Sequence, residues 1–495
     1  MKDLKEKTIR GGLARICAQG MEFLLRLVGL MVLARLLTPM DFGLVGMVTA
    51  FTGFLTLFRD FGLSSAAIQS INVTEEQFST LFWINVAVGA ILGIIATAFA
   101  PAIAAFYHDR RLIGVTAALS AGFLFNAVGV QHGVLLQREM RFTIVAQIKV
   151  ISLILGTAVG IGGALAGYGY WSLVAMSITF PLVITIGSWM ATGWRPGRPH
   201  RRSGMRSIMR FGGIVTLTSL VGYLATNLEK ILLGRFWGPD VLGLYGRAYQ
   251  LINIPTDGLN SSAGEVAFSA LSRLQDSPTR LKSYFLKGYA LVLTITLPIT
   301  VTCALFANDV IAVFLGPKWM PATPLFRLLA PTILVFGIIN PLNWLLPALG
   351  LVDRALKLVV VFAPIMIVSY IVALPFGPKG VAFAYSAVML LWAIPAIGWA
   401  VQGTVFCLQD FLTTISRPLV STIAAASCAV GVRLLWGQPL STLPRLVLEV
   451  GVFLAIYGGL TWFVTGQKSL YIDLLRGLKG SRSEAEQSAL TPSGV

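Results

Sequence analysis

Charge is scarce in this sequence. Asp, Glu, Lys and Arg make up only 12% of its 495 residues, against about 25% in soluble globular domains. That shortage removes a water-facing surface of ordinary extent. Cysteine is scarce as well: the four present are Cys17, Cys303, Cys407 and Cys428, with no CxxC pair. This excludes a disulfide scaffold or a thiolate metal centre and leaves small apolar packing residues. The three histidines, His108, His132 and His200, are scattered, so no metal site is expected. His132 lies beside Gln131 and reads first as a packing residue, second as a proton carrier. No GxxxxGK[ST] loop, HExxH or GxSxG occurs, and no stretch is polar enough for a nucleotide-binding domain. The chain is therefore not expected to be an enzyme, to use ATP directly or to hold a cofactor.

Apolar residues fill the space. They make up 56% of the chain, the mean hydropathy is +0.79, and apolar runs recur along nearly the whole length. A run of about 20 residues crosses a ~30 Å hydrocarbon core as a helix. The alternating short strands of an outer-membrane barrel are absent from the pattern. The expected fold class is all-α: a polytopic membrane protein of about fourteen transmembrane helices. The spans fall at 11–37, 42–68, 79–106, 112–136, 143–166, 169–193, 211–236, 241–269, 284–307, 323–349, 355–376, 380–402, 414–436 and 444–466. The first of them is too long and too charged for a cleaved signal peptide.

The net charge of +17 records topology and does not call for nucleic acid. Lys2, Lys5, Lys7 and Arg10, the six arginines of 195–210, the four basic residues of 273–287 and the tail fall on one side of the alternating spans. By the positive-inside rule that side is cytoplasmic, and so are both termini. The tail, 467–495, is polar and partly disordered by composition.

One helix breaks the apolar rule. Arg15, Gln19, Glu22 and Arg26 follow i, i+4, i+7 and i+11, which places them within a roughly 60° sector. Charge at membrane depth costs several kcal/mol unless it faces a partner or a water-filled cavity. Glu22 and Arg26 are also spaced to pair with each other. Two cations against one anion point to a polar path for an anionic cargo.

A shift of 200 residues superimposes the chain on itself: Arg35 falls on Arg235, Pro39 on Pro239, Gly43 on Gly243, Leu44 on Leu244 and Gly46 on Gly246. The turn R-x3-P-x3-G-L-x-G thus recurs after an even number of spans, which predicts a parallel repeat of two six-helix lobes, 1–200 and 201–405. Two additional helices, 406–466, follow. Span 7 repeats the polar spacing with Ser219, Tyr223, Thr226 and Lys230, flanked by Asn227 and Glu229. Span 8 adds Arg247, Gln250, Asn253, Asp257 and Asn260, with Pro255 among them as a point of bending. Span 10 places Asn340 and Trp344 around Pro341. Amides and Trp bind sugars, and they serve helix packing equally well.

ARLLTPMDFGLVGMV at 34–48, LFRDFGLSSAAIQ at 57–69, FWIN at 82–85, LLQREMRF at 135–142 and NLEKILLGRFWGPDVLGLYGRAYQL at 227–251 resemble the Wzx-type oligosaccharide flippases. The resemblance is to their exopolysaccharide and colanic-acid exporter branch, within the multidrug/oligosaccharidyl-lipid/polysaccharide exporter superfamily. It runs from about residue 10 to 402. Glu229 stands where this family usually has Asp. The resemblance implies two six-helix lobes in a V. It also implies a cargo, an oligosaccharide repeat unit on undecaprenyl pyrophosphate, moved across the bacterial inner membrane for exopolysaccharide or lipopolysaccharide synthesis. Arg15, Arg26 and Arg247, with Lys230, are then the expected head-group contacts, and Gln19, Asn227, Gln250, Asn340 and Trp344 the expected sugar contacts. Glu22, Glu229 and Asp257 are candidates for charge balance or for coupling to a proton or sodium ion. The expected partners are the lipid-linked oligosaccharide, membrane lipids, and a polymerase or other polysaccharide-assembly proteins. Three alternatives are weaker. A sugar or anion transporter of the major facilitator type usually has twelve spans and a different loop signature after span 2. A multidrug/cation antiporter needs an acidic cavity, and a membrane-embedded polymerase needs a large outer loop, whereas the longest outer loop here is about 308–322.

Overall fold

The computed structural model describes residues 2–59, 75–198, 206–275, 277–436 and 441–463. The side chains of 2–18, 206–219, 257–263, 265, 266, 268, 269, 352, 435, 436 and 463 lie outside the description. The described residues form helices joined by short turns. In chain order these are α1 (Lys2–Leu36), α2 (Pro39–Thr56), α3 (Glu75–Ala98), α4 (Ala100–Tyr107), α5 (Arg111–Arg138), α6 (Phe142–Leu165), α7 (Tyr170–Thr192) and α8 (Arg206–Arg273). Then come α9 (Pro278–Leu305), α10 (Ala307–Phe314), α11 (Thr323–Leu329), α12 (Pro331–Ala348), α13 (Val352–Ala373), α14 (Gly377–Val401), α15 (Leu408–Trp436) and α16 (Thr442–Phe463).

Among the described residues, ten helical stretches are long and apolar enough to cross a membrane, so the chain is an all-α polytopic membrane protein. The two long helices outside that set, α1 and α8, are those with the charged faces. Several expected spans have a different local form; 323–349, for one, is divided into α11 and α12 at Ala330. The stretch 79–106 is interrupted at Phe99, and α4 restarts with Pro101 in its first turn, where a missing N–H costs nothing. Spans 7 and 8 run through α8 with a break at Gly238, whose φ of 82° and ψ of 177° suit only glycine. Pro239 then opens the second half of α8.

The chain gathers into two compact units: Met1–Ser262 with Ile311–Leu329 and Asp353–Trp392, and Ala263–Val310 with Ala330–Val352 and Ala393–Val495. In the first, α2 begins with a capping box. The Thr38 amide donates to Asp41 Oδ2 at 2.9 Å, and the Asp41 amide donates back to Thr38 Oγ1 at 3.4 Å. The repeated turns meet reciprocally. A β-carbon at Gly43 would overlap the carbonyl of Pro239, and one at Gly243 would overlap that of Pro39. Only glycine lets the two helix starts approach so closely. Beside this contact, Trp319 is fully buried, donates from Nε1 to the Ala34 carbonyl at 2.7 Å and meets Phe42 edge-on at 5.4 Å. Arg35 of the first turn donates to the Val313 carbonyl at 3.0 Å. Among α3, α5 and α7, Gly89 packs on Ala127, and Trp189 donates to the Val128 carbonyl at 3.0 Å. His132 is buried there, with Nδ1 2.7 Å from Thr192 Oγ1 and its ring 4.3 Å from Trp189. That environment agrees with a packing role.

The second unit joins α9, α12, α15 and α16. Tyr457 donates to the Thr294 carbonyl at 3.0 Å, and Lys282 pairs with Asp410 at 2.6 Å. Asp309 and Glu449 are each 1% exposed. Arg445 hydrogen-bonds Asp309 from Nε at 3.1 Å and also from Nη2. Arg433 lies 3.5 Å from Asp309 and 3.6 Å from Glu449. Two cations and two anions so close together largely cancel.

Candidate functional site

Within the first unit a cavity of about 560 Å³ lies between α1, α2 and both halves of α8. The helical period explains who faces it. Gln19, Glu22 and Arg26 share one face of α1, Tyr223, Asn227 and Lys230 one face of the first half of α8, and Gly243, Arg247 and Gln250 one face of the second half. Gly46 and Gly246 keep the wall open, and Phe42 and Thr49 of α2 close it. Among the described lining residues, Arg26, Lys230 and Arg247 put three cations against the single carboxylate of Glu22.

The cations differ in how they are held. Lys230 Nζ donates to Asn227 Oδ1 at 2.7 Å and lies 4.6 Å from the centre of the Tyr249 ring. Asn227 is itself fixed by a 3.2 Å hydrogen bond to the Tyr223 carbonyl, and Tyr223 donates to the Ala50 carbonyl at 2.7 Å. Arg247 stacks on Phe42 at 4.3 Å, and its buried Nε has no hydrogen-bond partner. Arg26 is exposed to the cavity, and no ion pair joins it to Glu22 among the described residues. The arginines thus keep unused donors, the arrangement that a planar, bidentate oxyanion acceptor can complete.

Glu229 stands apart from this wall. One residue before Lys230, it is 0% exposed, and its carboxylate lies 3.9 Å from Lys230 Nζ with no hydrogen bond. Tyr245, Tyr370 and Tyr385 are within electrostatic range of it. These rings form a cluster: Tyr245 stacks on Tyr249, Tyr370 stacks on Tyr385, and the Tyr249 and Tyr385 hydroxyls are 3.1 Å apart.

Of the residues singled out by sequence, the cavity gathers Gln19, Glu22, Arg26, Tyr223, Asn227, Lys230, Arg247, Gln250 and Asn253. Asn340 and Trp344 belong to α12 in the second unit, where Trp344 packs by Gly264. The side chains of Arg15 and Asp257 lie outside the described residues. Phe42, Thr49 and Tyr249 line the cavity without having been singled out. Tyr249, next to Gln250 on a helix already marked as polar, could have been found.

Comparison with known proteins bears on this arrangement. A family model described as "Polysaccharide biosynthesis protein" matches residues 32–324. The lipopolysaccharide biosynthesis protein WzxC of Escherichia coli (strain K12) is 27% identical over 398 residues, covering 78% of this chain and 80% of that protein. The teichuronic acid biosynthesis protein TuaB of Bacillus subtilis (strain 168) is 27% identical over 317 residues, 61% of this chain and 63% of that one. Among solved structures, the lipid II flippase MurJ in an inward closed conformation superposes with a TM-score of 0.73 at 15% identity, covering 94% of this chain and all of that one. A multidrug resistance MATE family transporter of the MOP superfamily, inward-facing, gives a TM-score of 0.59 at 18% identity over 81% of this chain and 99% of that one. The fold is therefore that of these membrane transporters. With its family match spanning more than half of the sequence, the chain belongs to the polysaccharide biosynthesis protein family.

Proposed function

We propose that this protein flips a polyisoprenyl-diphosphate-linked oligosaccharide repeat unit from the cytoplasmic to the outer leaflet of the bacterial plasma membrane. The cargo serves exopolysaccharide or lipopolysaccharide synthesis. One observation carries the reading: Arg26, Arg247 and Lys230 converge on a single cavity within membrane helices, where Glu22 is the one carboxylate among the described lining residues and Glu229 lies 3.9 Å behind Lys230. A diphosphate and several sugars cannot cross hydrocarbon unaided, because each polar group stripped of water costs several kcal/mol. Guanidinium groups replace that hydration with bidentate hydrogen bonds. Asn227, Gln19 and Gln250 offer amides to the sugars beside them. The sign of the cavity opposes the cation-antiporter alternative.

In this reading fourteen spans form two six-helix lobes, 1–200 and 201–405, with two further helices, both termini in the cytoplasm and alternate opening of the lobes. The hydrogen-bond-free carboxylate of Glu229, next to Lys230, is the candidate to carry a coupling proton or to bind a sodium ion, with Glu22 balancing charge. Arg15 extends the cationic path, Asp257 supplements the charge balance, and Asn340 and Trp344 meet the sugars at another stage of the cycle. A polymerase receives the flipped unit.

The test is a deletion strain complemented in trans. Loss of the protein should leave lipid-linked repeat units accumulating on the cytoplasmic face, and the Arg26→Ala/Arg247→Ala double variant should do the same at normal protein level. Polymer output equal to wild type from that variant would remove the head-group assignment.

A further inference from the structure

A second cavity, of about 430 Å³, opens between α1, α2, α6 and α7 of the same unit. It shares Arg26, Phe42, Gly46, Thr49, Arg247 and Gln250 with the polar cavity, so the two meet along one seam. Beyond that seam the chemistry changes. Leu30, Leu33, Leu153, Leu173, Met176 and Phe180 line it, and among the described residues no further charged side chain does. Of its hydroxyls, Ser177 Oγ already donates to the Leu173 carbonyl of its own helix at 2.8 Å. An apolar hollow of this kind does not hold water well, and its size lies within the usual range for ligand pockets.

The two compartments together match an amphiphile whose polar and apolar parts join at a doubly charged group. We propose that the second cavity receives the first isoprene units of the lipid carrier, with the diphosphate on Arg26 and Arg247 at the seam and the sugars in the polar cavity. This rests on the flippase reading and adds the place of the tail to it. Beyond the seam the aliphatic wall is about as apolar as hydrocarbon lipid, so it adds little affinity of its own, but a side chain that fills the pocket displaces the tail and with it the diphosphate from the arginines. The pocket's contribution is positional. The diphosphate can reach both guanidinium groups while the carbons attached to it stay out of water. The pocket is too small for a whole polyisoprenyl chain, whose remainder stays in the bilayer.

Two probes test this on the purified full-length protein. The first is a polyprenyl diphosphate with a benzophenone on its first isoprene unit, and the second is the tail-less sugar diphosphate UDP-N-acetylglucosamine. Photolabel is expected in α6 and α7, between residues 153 and 180. Ser177→Phe, which fills the pocket from α7, should weaken the tailed probe about tenfold and leave the tail-less one unchanged. Thr157→Leu serves the same purpose from α6 if the first variant lowers protein yield. Label confined to other helices, or equal effects of the filling variants on both probes, overturns the tail assignment. The functional reading still stands in that case if Arg26→Ala and Arg247→Ala weaken both probes. If the arginine variants bind both probes as wild type does, the flippase reading and the tail assignment fall together.

Discussion

Two pairs of arginines sit among the apolar helices of this molecule, and they are held in opposite ways. Arg433 and Arg445 in the second unit face Asp309 and Glu449, both almost fully buried, at hydrogen-bond or ion-pair distance. Arg26 and Arg247 in the first unit face a cavity, with no carboxylate paired to either among the described residues, and Arg247 rests its guanidinium on Phe42. A saturated pair is architecture, since its charge is already answered within the protein. An unanswered pair leaves donors for something that is not protein. The number of arginines in a membrane helix therefore says less about cargo than the number of carboxylates within reach of them.

That contrast can be broken from either side. The largest effect is expected from Asp309→Ala, which leaves Arg445 and Arg433 beside one carboxylate in place of two. Removing one partner of a buried pair costs about 3–5 kcal/mol, so thermal unfolding in detergent should fall well below wild type. A variant that melts like wild type would show that the second-unit cluster is no clamp. Next is Arg247→Ala. Its export should drop roughly ten- to a hundredfold, as expected for a lost charge-assisted hydrogen bond of about 1.5–3 kcal/mol. Its melting should shift little, by the ~1 kcal/mol of a ring contact. Arg247→Lys should not restore export, because an ammonium cannot make the bidentate contact; full rescue by lysine would reduce this arginine to a point charge.

The smallest effect is expected where a pair faces water. Asp109, in the turn between α4 and α5, accepts hydrogen bonds from the Arg111 side chain at 2.7–3.2 Å. Those bonds hold its carboxyl below the usual carboxylate range. A carboxyl lowered on folding stabilises the folded form above its ordinary pKa and loses that contribution as acid protonates it. Asp109→Asn should thus cost at most about 1 kcal/mol at neutral pH. The gap to wild type should close as pH falls through the lowered value. A gap that widens in acid would contradict the assignment.

Much of the cavity was legible because helices are periodic. Glu22 and Arg26, Asn227 and Lys230, and Arg247 and Gln250 each repeat at three or four residues, and a polar residue on such a spacing in an apolar run has little freedom in where it points. The turn R-x3-P-x3-G-L-x-G was legible for another reason, as proline and glycine at fixed offsets announce a backbone demand. Aromatic walls were not. Phe42 looks like any other apolar residue of α2, and only its position under Arg247 distinguishes it. Glu229 and Lys230 are neighbours in sequence, yet a step of about 100° around the helix separates a buried acid from a cavity-facing base. Asn340 and Trp344 carried the same amide and aromatic signal as the cavity helices but belong to the other unit. The ion cluster joins Asp309 to Arg433, Arg445 and Glu449, all more than a hundred positions further on, and nothing local announces that meeting.

The reciprocal seating of Gly43 under Pro239 and Gly243 under Pro39 ties the two halves of the gene to one another. A hairpin borrowed from a related protein can be grafted into either half only if its proline and glycine keep the same register. Otherwise it must arrive together with its opposite number, as a matched set.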